Sequence, residues 1–164
     1  MRKKVVFTKG DSFHYVGELV QSLKEHKCKL LDCQLLYLTG NQVAEHYPLI
    51  VDKPFYPQVA AIYEVYPVFV LCVKGRLKNI RKVTGLFTDP AKCAPGSFRK
   101  KHGIDIGNNA CHRTGSIWEC WREVRRFFGK KFWFFGKDGF VTLYRRNPEQ
   151  WLVDIDRIMK LVHE

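Results

Sequence analysis

Tyr66-Pro67-Val68-Phe69-Val70-Leu71-Cys72-Val73 is an uninterrupted apolar run of strand length, closed by Lys74-Gly75. A run this short, rich in β-branched and aromatic residues and bounded by a turn signal, reads as a central strand rather than a helix. Upstream, residues 58–64 suit a helix, and Lys53-Pro54-Phe55-Tyr56-Pro57 forms the connection before it. Residues 29–38 have a strand-like mix of leucines with Cys33 and Tyr37, stopped by Thr39-Gly40-Asn41 ahead of a short helical stretch ending near Tyr47. Val5-Val6-Phe7 is a further short strand. Gly10-Asp11-Ser12 then breaks the run, and Val16, Leu19, Val20 and Leu23 recur with helical period.

Downstream, Leu77, Ile80 and Val83 predict a short helix with Lys78, Arg81 and Lys82 on its polar side. Residues 86–116 are rich in Gly, Pro and charge and show little periodicity, which marks a functional loop. Ile117, Trp121, Val124 and Phe128 then trace one buried helical stripe. Phe132-Trp133-Phe134-Phe135 reads as a strand. Asn147-Pro148-Glu149-Gln150 supplies an N-cap with proline at the first helical position, predicting a C-terminal helix. This order of elements predicts an α+β sandwich, an antiparallel sheet with helices covering one face.

The chain has 164 residues, 46% of them hydrophobic and 14% aromatic, enough for one packed domain without disulfide or metal staples. No apolar run reaches the roughly 18 to 20 residues of a membrane span, and no secretion signal is visible after Met1-Arg2-Lys3-Lys4. A soluble, cytoplasmic protein with no membrane partner is expected. Six cysteines lie scattered without the paired spacings of a zinc site, so reduced thiols and no metal-ligand set are expected. The net charge of +12 is spread over many segments and favours anionic partners, nucleotides or nucleic acid, without choosing among them.

His112 lies in the small, polar run Gly107-Asn108-Asn109-Ala110-Cys111-His112-Arg113-Thr114-Gly115-Ser116, directly before the amphipathic stretch. An imidazole accepts a phosphoryl group only if one ring nitrogen is unprotonated and the ring is oriented, and a carboxylate usually orients it. Glu123 is the local candidate.

Several motifs in one order resemble the nucleoside diphosphate kinase family. They are Lys9-Gly10-Asp11, Val16-Gly17-Glu18, His46-Tyr47, Lys53-Pro54-Phe55-Tyr56, Arg81-Lys82-Val83-Thr84-Gly85, Thr88-Asp89-Pro90, Pro95-Gly96-Ser97-Phe98-Arg99, and Gly103 to Gly107 leading to Asn109 and His112. The resemblance covers about residues 4–128 and implies a ferredoxin-like α+β sandwich. The length suits one domain over 1–164, and residues from about 129, beyond the resemblance, read as a divergent C-terminal extension carrying an added strand or hairpin and a helix.

By the same resemblance, His112 takes the γ-phosphoryl of a nucleoside triphosphate and returns it to a nucleoside diphosphate, with Mg²⁺ bound through the phosphates. Glu123 would orient the ring and Tyr47 would hydrogen-bond near the reacting phosphate. Lys9, Arg81, Thr88 and Arg99 would hold phosphates, Asn109 the sugar and phosphate side, and Phe55 with Val59 the base. Self-association into a homo-oligomer is also implied.

Departures from the family pattern centre on Arg113, which stands where the family has glycine and adds a cation beside the nucleophile. Two opposite consequences follow, help in binding phosphate or obstruction with lowered histidine basicity. Gly115 replaces an acidic residue, Asn108 an arginine and Gly10 a proline. An active kinase is the expectation. The competing readings are a single-stranded nucleic-acid binder on the basic, aromatic surface, secondary to nucleotide, and a non-catalytic nucleotide-binding scaffold.

Overall fold

The computed structural model describes residues 3–129 and 144–146. Five strands form one sheet: β1 (Lys3–Thr8), β2 (Lys29–Leu36), β3 (Val68–Lys74), β4 (Cys111–Arg113) and β5 (Tyr144–Arg146). Their spatial order is β4-β1-β3-β2-β5, and every neighbouring pair is antiparallel. The helices are α1 (Val16–Glu25), α2 (Gly40–His46), α3 (Tyr56–Val65), α4 (Leu77–Thr84), α5 (Phe98–His102) and α6 (Ile117–Phe128). Among the described residues no helix is long and apolar enough to cross a membrane.

β3 lies at the middle of the sheet, with Val68 to Val73 all buried. Successive side chains of a strand point to opposite faces, so a run that stays apolar at every position needs a cover on both. Two clusters provide it. Phe69, Leu71 and Val73 pack with α1 and α4 through Leu19, Val20, Ile80 and Val83. Val68 and Val70 pack on the other face with Val43 of α2, Val59 and Tyr63 of α3, and Phe127 of α6. The expectation of helices on one face is therefore corrected: both faces carry helices, because the central strand has no polar side.

The long stretch after Leu86 holds a short 3-10 turn, α5 and β4. β4 is three residues long, too short to leave a periodic signal, and its pairing with β1 places it. The strand read at residues 132–135 and the helix read after Pro148 lie outside the described residues.

Two departures from the family pattern meet in space. Gly10 has φ +59, and a Cβ placed there would lie 2.7 Å from Asn108 Oδ1. Proline cannot adopt a left-handed φ, so the turn after β1 is rebuilt around glycine with Asn108 filling the adjoining space. Gly10→Ala is expected to cost about 1–2 kcal/mol from backbone strain. In urea unfolding, an added Asn108→Gly should remove only the steric part of the loss. Complete recovery in the double variant would contradict the backbone argument.

Candidate active site

The site forms where β1 and β4 run side by side. Phe7 pairs with His112 across the two strands, and their rings stack with centroids 4.4 Å apart and planes 15° apart. The approach to the histidine is tightly turned. Ala110 has φ 65, a left-handed conformation that costs a non-glycine residue about 1–2 kcal/mol. Lys9 N–H donates to the Ala110 carbonyl at 2.8 Å, and Ser12 Oγ lies against the Lys9 and Ala110 carbonyls. The strained residue is thus strapped to the turn that follows β1.

His112 Nε2 is 2.9 Å from Glu123 Oε1. Glu123 projects inward from α6, whose start is fixed by a capping box: Ser116 Oγ accepts from Glu119 N–H, and Glu119 Oε2 accepts from Ser116 and Gly115 N–H. The second Glu123 oxygen accepts from Thr114 Oγ1 at 2.6 Å, and Thr114 is itself fixed by its backbone bond to Val5. Glu123 is only 5% exposed. Burial alone would raise its carboxyl, but the His112 ring, hydrogen bonds from His112 and Thr114, and the Arg126 charge together hold it below the usual carboxylate range. Glu123 is therefore an anion at neutral pH, and the His112 proton sits on Nε2. The lone pair is left on Nδ1, the nitrogen that faces the Tyr47 hydroxyl.

Of the groups named from the sequence, Tyr47 reaches Nδ1 and Lys9 stands beside Tyr47, with the Arg99 charge acting on both. Tyr47 Oη lies 3.3 Å from it and 2.9 Å from Tyr63 Oη. Burial pushes the Tyr47 hydroxyl far above its ordinary pKa, so it remains a neutral donor. Lys9 Nζ stands 5.1 Å from the Tyr47 ring centroid, and Lys9 is 6% exposed. Burial first, then the Arg99 charge, lowers its pKa to about 8. Arg99 donates from Nε and Nη2 to the Cys111 carbonyl and from Nη1 to that of Phe87. Arg81 reaches the Gly115 carbonyl through Nη2, while its buried Nε has no hydrogen-bond partner among the described residues. Asn109 donates to the Ile106 carbonyl, and its buried Oδ1 likewise has no hydrogen-bond partner among the described residues.

The remaining residues lie farther out. Thr88 is exposed on the segment after α4, and no hydrogen bond among the described residues joins it to the His112 cluster. Phe55 is half exposed at the start of α3, whereas Val59 is buried in the core with one edge toward Gly107. Sequence reasoning passed over Ile106, an exposed apolar side chain on the turn that Gly107 brings against α3. It also assigned no role to Tyr63 or His46. The only available signal for Tyr63 was a phenol on the buried face of a helix.

His46 is almost wholly buried, and burial keeps its pKa well below the ordinary value. Arg126 Nη1 is 3.1 Å from its Nδ1. A guanidinium only donates, so Nδ1 accepts and the His46 proton sits on Nε2, 3.9 Å from Glu123 Oε1. Donor atoms of His46, His112 and Glu123 lie within 4.8 Å of one another, yet this arrangement leaves His46 no Nε2 lone pair for a metal.

Arg113 follows His112 on β4 and pairs with Val6, so the two side chains leave opposite faces of the strand. Its Nη2 donates to the Leu86 carbonyl at 2.8 Å and its Nε to that of Gly85. With Arg99 it clamps the chain between α4 and Thr88 instead of blocking the imidazole. Arg113→Gly should therefore lower stability by about 1–2 kcal/mol, from lost hydrogen bonds and strand entropy, with no gain in phosphotransfer rate. Thermal unfolding alongside a rate assay checks both parts, and a faster variant would restore the obstruction reading.

His112 is thus held by a buried carboxylate with Tyr47 and Lys9 beside it, and comparison with known proteins gives the family of the chain. The family described as nucleoside diphosphate kinase matches residues 3–132. A nucleoside diphosphate kinase of Staphylococcus carnosus is 29% identical over 142 residues, covering 85% of this chain and 88% of its own. The crystal structure of apo nucleoside diphosphate kinase from Encephalitozoon cuniculi shares the fold, with a TM-score of 0.72 at 19% identity over 79% of this chain and 90% of its own. A halophilic nucleoside diphosphate kinase from Halobacterium salinarum, solved in complex with CDP, gives a TM-score of 0.69 at 25% identity over 92% and 97% of the two chains. With the family matched from β1 through the whole of α6, this chain belongs to the nucleoside diphosphate kinases.

Proposed function

We propose that this protein equilibrates γ-phosphoryl groups between nucleoside triphosphates and diphosphates through a phosphohistidine at His112 Nδ1. The observation that carries this reading is the His112–Glu123 contact at 2.9 Å, which puts the ring proton on Nε2 and the lone pair on Nδ1. In the first half-reaction Nδ1 attacks the γ-phosphorus. The N–P bond forms, the bond from that phosphorus to the β–γ bridging oxygen breaks, and the nucleoside diphosphate leaves with the electron pair. The ring becomes cationic, and Glu123 stabilises it through Nε2–H. A second nucleoside diphosphate then attacks the same phosphorus and regenerates the neutral imidazole.

Charge on the transferred oxygens is met by Lys9, Arg81 and Arg99, with Tyr47 donating beside them and Thr88 available from its loop. Arg81 Nε and Asn109 Oδ1 are two of the four buried side-chain polar atoms without a hydrogen-bond partner among the described residues, and a bound nucleotide would supply partners for both. Phe55 and Ile106 offer exposed apolar walls for a base, and Val59 supports the first turn of α3 from below. Such walls read no base edge, so several nucleobases should be accepted.

Mg²⁺ enters as part of the nucleotide substrate. The ion prefers hard oxygen ligands, and Glu123, the carboxylate of this cluster, is already held by His112 and Thr114. The phosphates therefore carry it.

The test is transfer of labelled γ-phosphate from Mg²⁺-ATP to the protein, followed by a chase with several diphosphates. Acid-labile, alkali-stable label discharged at similar rates by purine and pyrimidine diphosphates is expected. Nucleotide binding without any label would sink the proposal.

A further inference from the structure

The outer face of α6 carries a set of side chains that nucleoside diphosphate phosphotransfer does not use. Trp118, Trp121, Arg122 and Arg125 follow i, i+3, i+4 and i+7 spacing and so share one side of the helix. All four are exposed, Trp118 at 84% and Trp121 at 65%, opposite the buried Cys120, Glu123 and Phe127. Tryptophan is the side chain with most to lose from standing in water, and two of them a turn apart on a helix are a surface meant for contact.

The charges on this face are of one sign. Arg125 stacks its guanidinium 5.2 Å from the Trp121 ring centroid. Neither Arg122 nor Arg125 makes an ion pair among the described residues. Glu119, the acid nearest the face, is turned back to cap the helix through Gly115 and Ser116. The face continues past Ile117 into a groove of about 420 Å³ lined by Arg76, Leu77, Ile117 and Cys120. Arg76, at its rim, is exposed and likewise without an ion pair among the described residues.

We propose that this face binds single-stranded nucleic acid, its bases stacked on Trp118 and Trp121 and its phosphates on Arg76, Arg122 and Arg125. Interleaved flat rings and unpaired guanidiniums match a flexible polyanion that presents its own flat rings. A duplex hides those rings, so it is the weaker ligand. A face of this kind has no donor and acceptor pattern to read a base edge, and binding is tolerant of sequence. The site lies on the far side of α6 from Glu123, so it is separate from the nucleotide cleft and does not depend on the phosphotransfer reading.

The experiment measures fluorescence anisotropy of a labelled oligothymidylate of about 20 nucleotides with the full chain. Saturating Mg²⁺-ADP is present throughout to occupy the cleft, and the titration is repeated over a range of salt. The expected result is salt-dependent binding with quenched tryptophan emission, and weaker binding of a duplex of the same length. Trp118→Ala with Trp121→Ala should lose about tenfold or more in affinity, while Trp118→Phe with Trp121→Phe retains most of it. Arg122→Gln with Arg125→Gln should reduce the logarithmic salt slope by about 1.4.

γ-Phosphate exchange should be unchanged in all of these variants, which also shows that they fold. Undiminished binding by the alanine pair would overturn the proposal, as would absence of binding with Mg²⁺-ADP present when a parallel titration without ADP shows it. Sedimentation provides a further arm. If the alanine pair splits a wild-type oligomer while oligonucleotide affinity stays the same, the face is a contact between copies of this chain and the proposal fails.

Discussion

His112→Ala is expected to abolish phosphoprotein formation and to lower γ-phosphate exchange by about 10⁴-fold or more, the scale seen when a covalent nucleophile is removed. The buried groups around it cannot substitute. Tyr47 is held neutral by burial, and the Cys111 thiol is raised by burial and points to the opposite face of β4. The change also removes the ring stacked on Phe7 and the partner that does most to offset the burial of Glu123. The Glu123 carboxyl should therefore titrate higher in the variant than in the wild type. Ligand binding separates loss of chemistry from loss of fold, because Lys9, Arg81 and Arg99 are retained and Mg²⁺-ADP affinity should change only a few-fold. Acid-labile label persisting in His112→Ala would place the nucleophile elsewhere.

What the sequence made legible was what local pattern encodes. The apolar run at β3 and the period of α1 emerged as read, since each element buries a whole face and its residues repeat accordingly. The buried stripe read on α6 through Ile117, Trp121, Val124 and Phe128 is corrected: Ile117 and Trp121 are exposed, and the helix buries Cys120, Glu123 and Phe127, a face carrying a carboxylate that an apolar period does not reveal. The cover on the second face of the sheet was missed, although the unbroken run Val68 to Val73 already required it. β4 could not be read from three residues. With it was lost the alternation that sends His112 and Arg113 to opposite sides, and hence the correct reading of the arginine. The residues proposed as nucleophile, orienting carboxylate and phosphate-binding cations were named through the family's motifs, which are recognised by their order along the chain. The Tyr47–Tyr63 and His46–Arg126 contacts join residues far apart in sequence, and no spacing rule reaches them. Gly10 and Asn108 appeared as two separate departures, and only their contact shows them to be one adjustment.

Lys9→Met is expected to make the ligand-free protein more stable at neutral pH and the enzyme about 10²-fold slower. The Lys9 pKa falls from 10.5 to about 8 because burial disfavours the ammonium and Arg99 repels it. Below about pH 8 the group is charged in both folded and unfolded chains, and the full penalty of burying that charge is subtracted from stability. As pH rises from about 8 toward 10.5 the folded group loses its proton first, and the penalty is relieved. Methionine fills similar volume without the charge. The cation–π contact with Tyr47 is lost in exchange, and a net gain of about 2 kcal/mol at pH 7 should remain, shrinking to nothing above the unfolded pKa. In the proposed function phosphate supplies the missing counter-charge in the wild type, so Mg²⁺-ADP should raise its melting temperature more than that of the variant. The rate loss follows from the same fact, because a buried, poorly solvated ammonium is worth most when negative charge develops beside it. Urea unfolding of both proteins near pH 7 and near pH 10, with exchange rates alongside, tests the argument. A variant less stable than wild type at neutral pH would show that Lys9 already has a compensating partner and that nucleotide does not supply one.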